Sequence, residues 1–384
     1  MAIEIQNYPV IDNHCHPFPI GRIPQQLERM WTLSLNSIPV EDIKNSMIYQ
    51  MMVREMRIHH QLDAETPLND VVKYCHQKYL QNPVEYTSDL WKDAGIEMII
   101  GDIGSGVKKD SIRLTEDEID AFDELNSSIN VGKINRIEFF TDDIIARGVP
   151  FTDFTDCFIE YAQTEIVKHG LIALKSIIAY RTGLEVIPCP IQTVREAYSL
   201  YMNNPDNVDA EKIIRDYVFL TAAKFCSELD IPLQVHAGAG DSPVCDLRLH
   251  DPILLYQALN DPRVMDTRLI LLHASYPVVE HAAYLAAQYA NIYVDVSMMV
   301  PYLAHAVDSK LQAMLENVPY SKLLYGSDGS VMPDFIWYSA KHFKLALQNI
   351  LNDFIEAGYI DDGFARHAAR LVLSDNVKRI YKLS

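Results

Sequence analysis

Residues Val10 to His16 read Val-Ile-Asp-Asn-His-Cys-His. Two β-formers run straight into a polar tip, the pattern of a buried strand that ends at a functional face. Side chains alternate along a strand, so His14 and His16 point to the same side. We read this first strand as Tyr8 to His16. No convincing strand follows from Pro17 to about Gly95. There, Ile43, Met47, Ile48, Met51, Met52 and Met56 recur at helical spacing, which predicts a helical insertion over about 17–95. Seven more strands are expected at Ile96–Ile103, Ile134–Phe140, Leu171–Tyr180, Leu233–Ala237, Leu269–Ala274, Ile292–Ser297 and Leu323–Ser327. Helical patterns separate most of them, as at Ala210–Leu229, Val278–Tyr289 and Leu303–Leu315. This alternation implies parallel strands joined by right-handed crossovers. Eight such units predict an α/β protein built as a (β/α)8 TIM barrel, one domain over 1–384. Helices at Asp334–Glu356 and Gly363–Leu373 follow, and Ser374 or Asp375 is expected to cap a last helix through Tyr381.

Composition narrows the function. The 33 Lys+Arg and 52 Asp+Glu give a net charge of −19, which disfavours nucleic acid as a partner. No apolar run reaches the roughly 18 residues of a membrane span, and Met1–Val10 shows no secretory pattern. The cysteines at 15, 75, 157, 189, 226 and 245 form no C-x-x-C pair, which fits reduced thiols in a cytoplasmic protein better than a disulfide framework or a zinc ribbon. The first strand is not followed by G-x-G-x-x-G, so a dinucleotide-dependent oxidoreductase is disfavoured. A small-molecule substrate is expected, and a homo-oligomer is compatible with everything above.

The expected strand ends carry the chemistry. Besides His14 and His16 they offer His236 in Gln234-Val235-His236, His273 in Leu271-Leu272-His273-Ala274-Ser275, and Asp328 in Tyr325-Gly326-Ser327-Asp328-Gly329. A lone strand-end histidine is usually a satisfied structural residue. Four histidines and an aspartate at the ends of strands one, five, six and eight are a different matter, because buried polar groups are costly unless paired or ligating. Imidazole with carboxylate suits Zn, and also Mn, Fe or Co. Lys175 lies inside the apolar fourth strand. Either it pairs with a barrel carboxylate such as Asp12, or its amine has reacted with CO2 to give an anionic carbamate. Tyr180 ends that strand and Arg181 follows it directly, and 175, 177, 179 and 181 share parity. Arg181 is therefore either placed to lean over the pocket and grip a substrate carboxylate, with Tyr180 beside it, or an arginine that structures the surface or loop. Ser275 and Ser327 flank ligands and could orient them, and His250 lies in the loop after strand five. His59, His60, His76 and His281 lack strand-end context and read as packing or surface residues, and the Met47–Met56 run reads as core.

This constellation resembles the amidohydrolase superfamily, and within it the branch that includes the N-terminal domains of fungal FluG-type proteins. The carrying segments are Ile11–His16, Leu174–Leu184, Gln234–His236, Leu271–Pro277, Tyr325–Gly329 and Asn376–Tyr381, which together span the first strand and most of the chain from Leu171 onward. The resemblance implies one or two divalent metal ions, Zn foremost. His14, His16 and Asp328 would hold the first, His236 and His273 the second, with a carbamate on Lys175 between them. It implies Asp328, with His273, as the proton-handling residues of a metal-dependent hydrolase that acts on an amide-type C–N bond. If Arg181 binds an anion, a carboxylate-bearing, γ-glutamyl-like substrate is favoured. Single-metal relatives, in which Lys175 is unmodified, leave a zinc decarboxylase as the alternative.

Overall fold

The computed structural model describes residues 2–104, 106–109 and 111–383. Eight strands follow in chain order within one sheet: β1 Val10–Cys15, β2 Ile96–Asp102, β3 Asn130–Arg136, β4 Leu171–Ser176, β5 Leu233–Val235, β6 Leu269–Leu271, β7 Ile292–Asp295 and β8 Leu323–Leu324. Helices lie between most of them, and the fold is the expected TIM barrel. The register of the middle strands is parallel and unbroken, with Lys175 opposite Gln234 and Val235 opposite Leu271. β1 also meets β8: the Asn13 N–H donates to Tyr325 O at 3.0 Å and the Asp328 N–H to His14 O at 2.8 Å.

The local sequence explains how the helices deliver the strands. Asn82 caps the helix Pro83–Ala94 through the Glu85 N–H, and Asn207 caps Val208–Leu229 through the Ala210 N–H. Three helices end on left-handed residues, Gly95, Gly170 and Asp230, which satisfy the last carbonyls and turn the chain toward β2, β4 and β5. Between β1 and β2 lie the helices Val40–Lys44, Met47–His59, Leu68–Gln81 and Pro83–Ala94. Met52 and Met56 are buried as expected, whereas Met47 is exposed.

The chain packs as two compact units. One comprises Met1–Gly101, Leu114–Val131 and Val296–Lys378; the other comprises Asp102–Arg113, Gly132–Asp295 and Arg379–Ser384. In the first, Trp91, Trp337, Tyr325 and Phe343 are almost wholly buried; in the second, Phe154, Phe158 and Phe219 are. Among the described residues no helix is long and apolar enough to cross a membrane.

Three expectations need correction. The third strand stops at Arg136, and Ile137–Ala146 is helix, because the run Ile-Glu-Phe-Phe-Thr carries β-formers that here pack as one face of a helix. The fourth strand stops at Ser176, where Ile178–Tyr180 forms a single 3-10 turn. The shared parity of Lys175 and Arg181 is lost there. Finally, Ser374 and Asp375 cap nothing: Leu371–Asp375 is a π-helical turn that carries the chain unbroken into Asn376–Tyr381.

Candidate metal centre

β1 and β8 build the first donor group. The Asp12 carboxylate is fully buried below the tip of β1 and fixes both strands. It accepts the His14 N–H at 3.1 Å, the Ser327 N–H at 2.9 Å and the Ser327 hydroxyl at 2.5 Å. Ser327 in turn accepts the Gly329 N–H at 2.9 Å. Held in this way, His14 and His16 each bring Nε2 to 3.2 Å from the same atom, Asp328 Oδ1. The two rings stand edge to face at 5.0 Å. Asp328 has φ +56, a left-handed conformation that costs an aspartate little and turns its side chain onto the histidines.

The second donor group comes from β4, β5 and β6. His273 Nε2 and His236 Nδ1 lie 3.0 Å apart, with both rings buried. The His273 N–H donates to Asp295 Oδ1 at 2.8 Å, and the His236 N–H donates to Ser176 O at 3.0 Å. His273, Ala274 and Ser275 all have positive φ. Such a run of left-handed residues stores backbone strain, of a kind found preferentially at functional sites. Gly238, at φ +81, is needed opposite it, since a Cβ there would stand 2.3 Å from the Ser275 carbonyl carbon.

Lys175 is 2% exposed, and its Nζ lies 3.0 Å from Asp102 Oδ2. A barrel carboxylate, on β2, is thus a partner of Lys175. Asp102 also accepts the Gly104 N–H at 2.9 Å and Arg136 Nε–H at 2.8 Å. Arg136 sits in register with Lys175 across β3 and β4 and gives a further hydrogen bond to Gly106 O. One buried anion therefore stands between two cations.

The residues after β4 have protein partners. The Tyr180 ring lies 4.4 Å from that of His236, and its hydroxyl accepts the Asp241 N–H at 3.0 Å. His250 is buried beside them, with Nδ1 2.9 Å from Gly238 O, and burial lowers its pKa. Arg181 has a side chain only 3% exposed, donates to Val107 O and faces Asp142 at 3.7 Å. Burial and then the neighbouring Arg215 lower its pKa. Burial pushes the Glu138 carboxyl up, opposed by the Ile177 N–H and by Ser176, whose hydroxyl donates to it at 2.7 Å. The guanidinium of Arg181 thus lies among protein charges rather than over an open pocket. We expect Arg181→Met to cost about 1.5–3 kcal/mol of stability in thermal or urea unfolding, the usual worth of a hydrogen bond to a charged group. The ratio of KM values for anionic and neutral amides should not change. A KM rise confined to anionic substrates would restore a substrate role.

Residue-by-residue reading missed Asp102, Arg136 and Asp295. Asp102 and Asp295 are strand-end carboxylates of the same kind as Asp328, so the rule that found Asp328 would have found them. Arg136 was hidden because the third strand was drawn through it.

Imidazoles and carboxylates at strand ends of a TIM barrel are the donor types that metal-dependent barrel enzymes use. Residues 203–383 match the family model described as Amidohydrolase. The protein fluG of Emericella nidulans is 28% identical over 256 residues, a match covering 64% of this chain and 29% of that protein. The chain therefore spans less than a third of that relative's length. Among solved structures, a protein of Lactobacillus casei ATCC 334 provisionally assigned as a metal-dependent hydrolase superposes with a TM-score of 0.82 at 23% identity, covering 100% of this chain and 98% of that one. A uronate isomerase from Thermotoga maritima superposes with a TM-score of 0.71 at 13% identity, covering 98% and 95%. At these identities the two structures speak for the fold alone. Over residues 203–383 the chain is thus similar to amidohydrolases, and it is similar to fluG over 64% of its length.

Proposed function

We propose that the protein is a metal-dependent hydrolase that cleaves an amide-type C–N bond in a small molecule. The observation that carries this reading is the approach of His14 Nε2 and His16 Nε2 to one oxygen of Asp328, both at 3.2 Å. Two neutral imidazoles and a carboxylate are a donor set that fits a divalent ion of the zinc class. In this reading His14, His16 and Asp328 hold one ion, and His236, His273 and a carbamate on Lys175 hold a second. A divalent ion there supplies Lewis acidity and a water acidic enough to ionise near neutral pH.

The protein's own groups do the rest. Asp328 accepts the proton of the attacking water and passes it to the leaving nitrogen, so that the amine departs neutral. Asp12, buried and bonded to both strands, keeps His14 and Asp328 from drifting as that proton moves. Tyr180 buttresses His236, and Asp295 anchors His273 through its backbone. A carboxylate-bearing substrate, γ-glutamyl-like, remains within this reading only if Arg181 can leave Asp142.

One observation favours a second reading. Lys175 already has Asp102 as an ammonium partner, which suits a single-metal enzyme with an unmodified lysine, and with it a decarboxylase. The experiment that separates the two follows amine release and CO2 release in parallel. The zinc-loaded chain is given aryl amides, γ-glutamyl amides and aromatic carboxylic acids. Amine release without CO2 is the expected result, and CO2 release from an acid with no amidase activity overturns the hydrolase.

A further inference from the structure

A second group of metal-type donors is carried by helices and not by strand ends. His60 ends the helix Met47–His59, Cys75 lies within Leu68–Gln81, and Asp334 is the second residue of Pro333–Glu356. One ligand atom from each falls within 4.8 Å of the others. Cys75 is 0% exposed and Asp334 1%.

The state of Asp334 points to a missing ligand. Its Oδ1 accepts the Tyr86 hydroxyl at 2.7 Å, while its Oδ2, equally buried, has no hydrogen-bond partner. Among the described residues no Lys or Arg pairs with it. A buried anion with one oxygen unsatisfied is costly unless a cation meets it. Tyr86 lies 3.3 Å from His60 Nε2, so one phenol touches two members of the group. Holding a ligating carboxylate in place is what a neighbouring hydroxyl does around metal sites.

We propose that His60, Cys75 and Asp334 bind a divalent cation of the zinc class, with Tyr86 orienting Asp334. Binding displaces the Cys75 thiol proton to solvent, and the thiolate and carboxylate then balance the charge of the ion while His60 ligates as neutral imidazole. The ion pins helices from the segment between β1 and β2 to the long helix that follows β8. Its role is structural, and it is independent of the proposed reaction.

Cobalt(II) tests this, because the residues assigned to the reaction centre contain no sulfur. The chelator-treated full chain, titrated with cobalt, should develop a near-ultraviolet thiolate-to-cobalt charge-transfer band that saturates with the amplitude of one thiolate-bound cobalt per chain and is bleached by zinc. Cys75→Ala should abolish the band, and Asp328→Asn should leave it intact. Losing a residue that merely orients a ligand typically weakens metal binding about 10- to 100-fold, so His60→Ala should weaken cobalt binding at this band at least ten-fold. No band in the folded wild-type chain, or a full band in Cys75→Ala, overturns the proposal. If Cys75→Ala does not fold, His60→Ala decides, and unchanged cobalt affinity there overturns it.

Discussion

Asp328→Asn is expected to lower kcat by about 10²- to 10⁴-fold, the range that a positioned general base contributes. The substitution is nearly isosteric, and asparagine tolerates the left-handed backbone at this position as well as aspartate does. The hydrogen bond from the residue 328 N–H to His14 O uses only the main chain, so it survives. The fold should therefore hold, with thermal unfolding shifted by a few degrees at most. What disappears is the basic oxygen on which His14 and His16 converge and which, in the proposed reaction, takes the proton of the attacking water. The assay is run at saturating zinc, because an anionic ligand is lost as well, and bound metal is measured on the same sample. A metal-loaded Asp328→Asn enzyme with kcat within ten-fold of wild type would remove Asp328 from proton transfer and leave it a ligand only.

The barrel was legible because its strands are buried on both faces and so read as short apolar runs ending in polar tips. Imidazole and carboxylate residues at the tips of strands one, five, six and eight stood out for the same reason. What the sequence concealed is side-chain pairing across strands. Nothing in the run from Leu171 to Ile178 says that Lys175 meets Asp102, some seventy residues earlier, because register alone places the two together. The parity argument for Arg181 failed for a local cause. Parity holds only while the strand lasts, and Ile177 leaves the extended conformation at φ −113, ψ 29. The cluster around Asp334 was invisible for a third reason: its members lie on helices, at positions that look like ordinary packing until the helices are brought together.

Lys175 decides between one ion and two. In the structure Asp102 carries one negative charge between the ammonium of Lys175 and the guanidinium of Arg136, so the trio bears a net positive charge in a buried setting. An ammonium that shared an ion with His236 and His273 would stand roughly 4 Å from it, where repulsion runs to about 4 kcal/mol per unit charge at an effective dielectric near 20. Every 1.4 kcal/mol is ten-fold in affinity, so the unmodified lysine should weaken a second ion by about 10³-fold or more. Reaction with CO2 reverses the sign. The amine nitrogen bonds the carbon, gives up two of the ammonium's three protons to solvent and keeps the third, and the group becomes an anion that Arg136 can help to balance. We therefore expect zinc loading in bicarbonate to give two ions at the reaction centre, with a native mass increased by one CO2, and loading in CO2-free buffer to give one. Counts are made on Cys75→Ala, or on His60→Ala if the former does not fold, so that no ion bound at that cluster is included. Lys175→Met should stop at one ion under both conditions and lose amidase activity. Two ions bound without CO2, or by Lys175→Met, would show that the lysine is no ligand and that its pairing with Asp102 persists in the working enzyme.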